Sequence, residues 1–164
     1  MKNYLHSHYS LIICSLFIAL SVLPSCKKDS EWLDWRAQNE AWMTMNGQKE
    51  GVITTPTGLQ YRVIREGIDS TKPDSLKTVV VNYTGSLING NQFDSATEAH
   101  LGVSTVVKGF AEGLHKMRES GHYILYVPHN LGYKDEEKQS IGNKGHIPPY
   151  STLIFDVTLV DVYY

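Results

Sequence analysis

The segment LIFDVTLVDV, residues 153–162, carries an apolar side chain at every second position over most of its length. Because successive side chains of a strand point to opposite faces of a sheet, this alternation predicts a long strand with one buried face. Upstream, TVVVNY (residues 78–83) is rich in β-branched residues, and YILYV (residues 123–127) is an apolar run that ends at Pro128. Both runs favour buried strands, so the C-terminal part of the chain is predicted to form a sheet.

Shorter signals complete this sheet. LQYRVI (residues 59–64) alternates and predicts a further strand, and the dipeptide Asn89-Gly90 between apolar flanks predicts a tight hairpin turn. Apolar residues at helical spacing between positions 107 and 117 predict one short helix, and residues 130–150 are predicted to form a long loop. The fold class is therefore α+β: a curved antiparallel sheet of five or six strands wrapped around one short helix.

The N-terminus predicts export. Residues 1–25 contain an apolar run from Leu11 to Leu23, which is too short to span a bilayer but suits the core of a secretory signal. The sequence Leu23-Pro24-Ser25-Cys26 resembles a lipobox, the bacterial site where the chain is cut before a lipidated cysteine. Residues 1–25 are thus predicted to be a lipoprotein signal peptide and Cys26 the lipidated residue; a plain secretory signal is the alternative. An acylated Cys26 predicts a lipid-anchored protein of the bacterial cell envelope, and Lys27 favours the outer membrane.

Residues 26–50 are predicted to form a lipidated tether followed by an amphipathic helix from Glu31 to Asn46. Asp29 or Ser30 can cap this helix. Three tryptophans lie close to one face of it: Trp32, Trp35 and Trp42. So much apolar surface does not stay exposed on an isolated helix, so the face either packs on the following domain or forms a dimer or partner contact.

Composition excludes several classes of function. The chain has 164 residues, a net charge of −2 and no basic stripe, so nucleic-acid binding is not expected. It lacks the Gly-x-Ser-x-Gly motif of many hydrolases and any glycine-rich phosphate loop. The histidines of the later part of the chain lack ligand spacing, so no metal site and no cofactor are predicted.

Five segments, in order, resemble the motifs of the FKBP-type peptidyl-prolyl cis-trans isomerases. They are VNYTG (residues 81–85), GNQFDS (90–95), VVKGFAEGL (106–114), LGY (131–133), and IPP with LIFDV (147–149 and 153–157). The segment TGLQY (57–61) resembles the opening of the macrophage-infectivity-potentiator branch, whose members are exported. The resemblance covers residues 51–164, which it identifies as the isomerase domain, with the N-terminal helix as an addition.

The resemblance implies a site for a proline ring. The residues at matching positions are Tyr83, Phe93, Asp94, Val106, Val107, Phe110, Tyr133, Ile147 and Phe155. It implies that the aromatic and aliphatic members line the pocket, with Phe110 as its floor and Ile147 closing it. Asp94 would lie at the rim, while the Tyr133 hydroxyl and the Val107 N–H would each bind a substrate carbonyl.

The activity implied is rotation of X-Pro bonds in exported, partly folded proteins, and macrolides of the tacrolimus or rapamycin type are the implied ligands. Two departures bear on this expectation. Phe110 stands where the family usually has tryptophan, which predicts weaker macrolide binding, and Ala99 stands where an arginine often supports the aspartate. A chaperone or protein-binding module with weak or no isomerase activity is therefore the alternative function.

Overall fold

The structure, a computed structural model, describes residues 32–68, 72–139 and 144–163. The signal peptide, Cys26 and the two predicted caps lie outside the described residues. The elements are helix α1 (Leu33–Asn46), strands β1 (Val52–Thr54), β2 (Gln60–Arg65), β3 (Thr78–Ser86) and β4 (Gln92–Gly102), helix α2 (Lys108–Leu114), and strands β5 (His122–Val127) and β6 (Leu153–Tyr163). The predicted α+β class is confirmed.

The described strands form one antiparallel sheet in the order β1-β2-β5-β6-β3-β4. Strand β6, the segment whose alternation was most regular, lies in the middle and pairs with both β5 and β3. Leu153, Phe155, Val157 and Leu159 are buried, whereas Asp156 between them is exposed. The alternation therefore fixes which face of the central strand meets the core.

Helix α2 covers this buried face by approaching β5 very closely. A Cβ atom on Gly113 would lie 2.3 Å from Cδ1 of Leu125, and one on Gly109 would lie 2.4 Å from Cγ1 of Val127. Since neither position tolerates a side chain at that distance, the two glycines set the height of the helix above the sheet. This height leaves Phe110, at the N-terminal end of the helix, pressed against β6.

The hairpin between β3 and β4 turns at the predicted Asn-Gly dipeptide, but its geometry differs from the expected one. In the loop, the Gly90 N–H donates to the Leu87 carbonyl at 2.9 Å, and Gly90 alone has a positive φ, of 84°. This is the pattern of a turn followed by a single left-handed residue, so Asn89 does not need the positive φ that its sequence context suggested. Strand β4 also runs much further than its sequence pattern indicated, to Gly102.

The long strand β4 is interrupted where its register against β3 shifts between Val81 and Tyr83. At this bulge Glu98 adopts a φ of 52°, and its backbone N–H donates to Oδ1 of Asn82 at 2.7 Å. A side-chain acceptor thus replaces a ladder partner, and the local twist of the strand increases.

Helix α1 packs on the domain that follows it, as the first of the two interpretations predicted. It begins at Leu33, with Trp32 before it, and the rings of Trp42 and Tyr126 of β5 lie 5.7 Å apart. The side chains buried most deeply are not the tryptophans, however, but two asparagines, Asn39 and Asn46, each 1% exposed. The described residues from Trp32 onward form one compact unit.

Two features were not predicted from the sequence. The short strand β1 pairs with β2 at the edge of the sheet, and the long segment after β5 contains a 3₁₀ turn, His129–Leu131, and a bridge between Lys138 and Ile147. Strand β1 has only three residues, too few to show a period. None of the helices in the described part of the chain is long and apolar enough to cross a membrane.

Candidate active site

One cavity of about 390 Å³ opens between helix α2, the sheet and the segment that joins β5 to β6. All nine residues that the motif positions singled out line it: Tyr83, Phe93, Asp94, Val106, Val107, Phe110, Tyr133, Ile147 and Phe155. They come from β3, β4, the turn before α2, α2 itself, the segment after β5, and β6. Residues separated by up to 72 positions in the chain (83 to 155) therefore meet at one site.

The floor of the cavity is a cluster of aromatic rings in edge-to-face contact. Phe155 lies at its centre, with ring centroids 4.7 Å from Phe110 and 5.6 Å from Phe93, at interplanar angles of 67° and 88°. Tyr83 approaches Phe110 and Phe155 at 6.0 and 6.3 Å. Each such pair contributes about 0.5–1.5 kcal/mol beyond its burial, so the rings hold one another in place and present a firm apolar surface.

The glycine of the β3 motif makes room for this cluster. A Cβ atom on Gly85 would lie 2.5 Å from the ring of Phe93 and 3.3 Å from that of Phe155. The absence of a side chain lets Phe93 lie directly on the β3 backbone. Gly85 thus belongs to the architecture of the site although it does not line the cavity.

The polar side of the cavity is organised around Asp94. The Tyr83 hydroxyl donates to Oδ2 of Asp94 at 2.8 Å, and the backbone N–H of Ser95 donates to Oδ1 at 3.0 Å. The ammonium group of Lys144 also contacts Oδ2. Burial raises the pKa of the Tyr83 hydroxyl well above its usual range, and the hydrogen bond to the Asp94 carboxylate raises this pKa further. At neutral pH Tyr83 therefore keeps its proton and holds the carboxylate at the cavity rim.

Two other polar groups of the cavity have no protein partner within the described residues. The Tyr133 hydroxyl makes no hydrogen bond there, although Nζ of Lys138 lies 5.0 Å from the centroid of its ring. The N–H of Val107, which precedes α2, likewise donates to no described group; the Val107 carbonyl accepts from Phe110 and Ala111. The site thus combines an apolar floor with two donors available to a ligand carbonyl.

Several residues of the cavity were not in the predicted set: Leu101, Thr105, Lys138, Gln139, Lys144 and Gly145. Leu101 and Thr105 belong to the extended end of β4 and the turn after it. The others come from the segment after β5, which is pinned to β4 because the Gly145 N–H donates to the Phe93 carbonyl at 2.7 Å. No short-range pattern signals a contact between residues some fifty positions apart, so sequence reasoning could not find them.

Comparisons with known proteins agree with this geometry. The profile described as FKBP-type peptidyl-prolyl cis-trans isomerase matches residues 69–160. The chain belongs to this family. A second profile, described as the domain amino terminal to FKBP-type peptidyl-prolyl isomerase, matches residues 26–63.

Among curated FKBP-type proteins, the probable isomerase FkpA of Neisseria meningitidis is 38% identical over 132 residues, which are 77% of this chain and 46% of that protein. The isomerase Mip of Chlamydia muridarum is 38% identical over 143 residues, 82% of this chain and 53% of that protein. This chain thus spans about half the length of these curated relatives. The crystal structure of FkpA from Escherichia coli superimposes with a TM-score of 0.69 at 34% identity, covering 82% of this chain and 63% of that one.

The structure shows the surroundings of the two residues that depart from the FKBP family motif, Ala99 and Phe110. Ala99 provides no cation near Asp94, but Lys144 reaches the same carboxylate from the segment after β5. The weaker support of Asp94 expected from Ala99 is thus offset by a residue that the motif comparison did not identify. Phe110 is 3% exposed and stacks edge-on against Phe155, so the smaller ring still closes the floor.

We predict that Tyr83→Phe lowers the free energy of unfolding by about 1–2 kcal/mol, because it removes a hydrogen bond to a charged acceptor and leaves Asp94 with one fewer donor. The matched variant Tyr133→Phe should change stability by less than about 0.5 kcal/mol, since that hydroxyl has no partner in the described structure. Urea unfolding followed by circular dichroism measures both. Equal losses in the two variants would contradict the assigned hydrogen bond.

Proposed function

We propose that this protein is an active peptidyl-prolyl cis-trans isomerase that acts on exported, partly folded polypeptides. The proposal rests on one observation: an aromatic cavity with two donors at its edge that have no partner among the described residues. It is supported by membership of the FKBP-type family and by the similarity to curated isomerases.

Rotation about an X-Pro bond crosses a barrier of about 18–20 kcal/mol, because twisting the bond breaks amide resonance. No bond is made or cut, so the enzyme has only to bind the twisted amide more tightly than the planar one. An acceleration of about 10⁵-fold requires about 7 kcal/mol of such differential binding. Dry surroundings and fixed dipoles provide this differential binding. The polar planar amide loses more solvation free energy in a dry cavity than the twisted amide does, and the carbonyl of the twisted amide gains more from hydrogen-bond donors that are held in place.

In this mechanism the proline ring packs on Phe110 among the rings of the floor, where water does not reach the amide. The Tyr133 hydroxyl and the Val107 N–H bind the carbonyls on either side of the rotating bond. Asp94, held by Tyr83 and Lys144, lies at the rim beside the twisting carbonyl. Ile147, 6% exposed, closes the far wall. These roles follow the geometry of the cavity and the positions of the family motif.

The activity is tested with a peptide containing Ala-Leu-Pro-Phe in a protease-coupled assay. We expect a rate well above the spontaneous one, and we expect Tyr133→Phe to lower kcat/KM about fivefold, the effect of losing about 1 kcal/mol of hydrogen bonding. Tyr61→Phe on β2 is the matched control, since Tyr61 stacks on Tyr123 away from the cavity and should leave kcat/KM unchanged.

A rate no higher than the spontaneous one would remove the isomerase proposal. The second candidate, a chaperone or binding module, is favoured by Phe110 and Ala99, where the family usually has larger or charged residues. It predicts that the protein suppresses aggregation of a refolding client without accelerating a proline-limited refolding phase. Both measurements on one client protein separate the two functions.

We also propose that the cavity binds macrolides of the tacrolimus or rapamycin type, but weakly. Phe110 offers less ring surface than tryptophan and no indole N–H. The variant Phe110→Trp is expected to tighten binding at least tenfold, through added ring contact against Phe155. Isothermal titration calorimetry measures the affinity, and the peptide assay shows whether the exchanged floor still functions. If the active variant binds the macrolide no more tightly than the parent does, the smaller ring of Phe110 is not the cause of weak macrolide binding.

We further propose that residues 1–25 are a signal peptide and that residues 26–50 join the lipidated Cys26 to the isomerase domain, residues 51–164. The lipid would anchor the protein in the cell envelope, in the outer membrane rather than the inner one. The amino-terminal family profile begins its match at residue 26, and one curated relative, 37% identical over 131 residues, is named outer membrane protein MIP of Legionella longbeachae. A dimer through Trp32, Trp35 and Trp42 stays a prediction, although two of these rings contact the chain's own domain.

We expect Cys26→Ser to abolish incorporation of radiolabelled palmitate and to leave the protein either released from the membrane fraction or unprocessed, because the anchor consists of acyl chains on that thiol and the new N-terminus. Cell fractionation with sucrose-gradient separation of the two membranes checks this. The parent protein is the control for export. If the variant is cut to the same length as the parent and still sediments with membranes as the parent does, the anchor is elsewhere.

A further inference from the structure

One wall of the cavity is built by residues 128–139 and 144–152, the described parts of the chain between β5 and β6, which are together called the wall segment. It carries Tyr133, Lys138 and Ile147 to the cavity. Its described residues contain a short 3₁₀ turn, His129–Leu131, and one isolated bridge, in which Lys138 and Ile147 exchange a pair of hydrogen bonds at 2.9 Å. Its middle part is held to β4, because the Gly145 N–H donates to the Phe93 carbonyl at 2.7 Å. Because its described residues form no long strand or α-helix, the shape of the segment depends on contacts with neighbouring elements, of which β4 is one.

Helix α1 provides this support at the C-terminal end of the wall segment. The indole N–H of Trp35 donates to Oγ of Ser151 at 3.0 Å, and that hydroxyl donates in turn to the Pro148 carbonyl at 2.7 Å. One turn further along the helix, Oδ1 of Asn39 accepts from the backbone N–H of Thr152 at 2.7 Å. These contacts hold the chain next to Ile147, the residue that closes the cavity.

The Asn39 side chain is buried, and both its amide oxygen and its amide nitrogen make hydrogen bonds. Asn39 and Thr152 are each 1% exposed, and the amide group of Asn39 donates back to the Trp35 carbonyl at 2.8 Å. A buried backbone N–H without a partner costs free energy comparable to a lost hydrogen bond. The wall segment therefore cannot leave helix α1 at this point without a penalty.

The same helix also contacts the N-terminal end of the wall segment. His129 lies with Nε2 3.8 Å from Oε1 of Glu40, and its ring is 5.6 Å from that of Tyr150. The guanidinium group of Arg36 lies 5.0 Å above the ring of Tyr150. Helix α1 thus bridges the two ends of the segment that carries Tyr133 and Ile147 between them.

We propose that Asn39 and Trp35 are positioning residues for isomerisation: they fix the wall segment so that Tyr133 and Ile147 face a bound proline. This inference rests on the proposed function and deepens it. Neither side chain lines the cavity, so Asn39 acts through the Thr152 backbone N–H that it binds, and Trp35 acts through the Ser151 hydroxyl. The N-terminal helix then becomes part of the catalytic structure, in addition to any role as a tether.

Asn46 provides a matched control on the same helix. It too is 1% exposed, and its amide donates to Oε1 of Gln60 on β2 at 2.9 Å, while Nε2 of Gln60 donates to the Met43 carbonyl. Asn46 lies two helical turns after Asn39 and anchors the helix to the sheet, not to the wall segment. Asn39→Ala and Asn46→Ala therefore remove equally buried amides with different attachments.

We expect both variants to unfold at lower urea concentration than the parent, but only Asn39→Ala to raise KM for the Ala-Leu-Pro-Phe peptide, about five- to tenfold, with kcat within twofold. A loosened wall reduces the fraction of molecules competent to bind, and apparent affinity falls by that fraction. The milder pair Trp35→Phe and Trp42→Phe repeats the comparison: Trp35→Phe removes the donor to Ser151, whereas Trp42 contacts Tyr126 of β5.

Amide hydrogen exchange of the full chain tests the inference independently of activity. Asn39→Ala should speed exchange at least tenfold at Thr152, Ile147 and Lys138, and leave β3 as in the parent, whereas Asn46→Ala should not affect the wall segment. If the parent protein is inactive, the proposed function fails, but the exchange result still shows whether Asn39 holds the wall segment in place. Equal changes in KM and exchange for both variants, or none in either, would overturn the proposal.

Discussion

The edge-to-face contact between Phe110 and Phe155 joins the short helix to the central strand, and the cavity depends on it. Phe155 owes its inward direction to the alternation of β6, and Phe110 owes its height to the glycines that let α2 lie on β5. Each ring packs against the face or edge of the other, so the floor of the cavity requires both. The apolar packing of the core therefore forms the floor of the site independently of its polar groups.

On this floor the polar groups divide into two kinds. Tyr83, Asp94 and Lys144 satisfy one another and form a preorganised rim, in which burial raises the pKa of the Tyr83 hydroxyl that donates to the Asp94 carboxylate. Tyr133 and the Val107 N–H are left without partners in the described structure, and they are the groups with capacity for a ligand. A site that binds a twisted amide needs this division, since donors already engaged elsewhere stabilise no new charge.

The sequence alone indicated those parts of the molecule that carry local periodicity. The strands around residues 78–83 and 153–162 and the helix near Phe110 followed from their patterns, and the shared cavity followed from motifs in a fixed order. Strand β1, the far end of β4 and the approach of Lys144 to Asp94 depend on tertiary pairing, which leaves no short-range pattern. The burial of Asn39 and Asn46 could not be predicted for a different reason: apolar spacing indicates the half-buried tryptophan face of the helix, but it carries no signal for polar residues buried through hydrogen bonds.

The bulge of β4 has a consequence for the exposed edge of the sheet. Strand β4 forms one border of the sheet, where unpaired backbone groups could recruit another extended polypeptide. At Glu98 the backbone turns out of strand geometry, and its N–H is committed inward to Asn82. A second strand laid along that border would lose its register halfway. The irregularity therefore disfavours edge-to-edge pairing of this sheet with another extended chain.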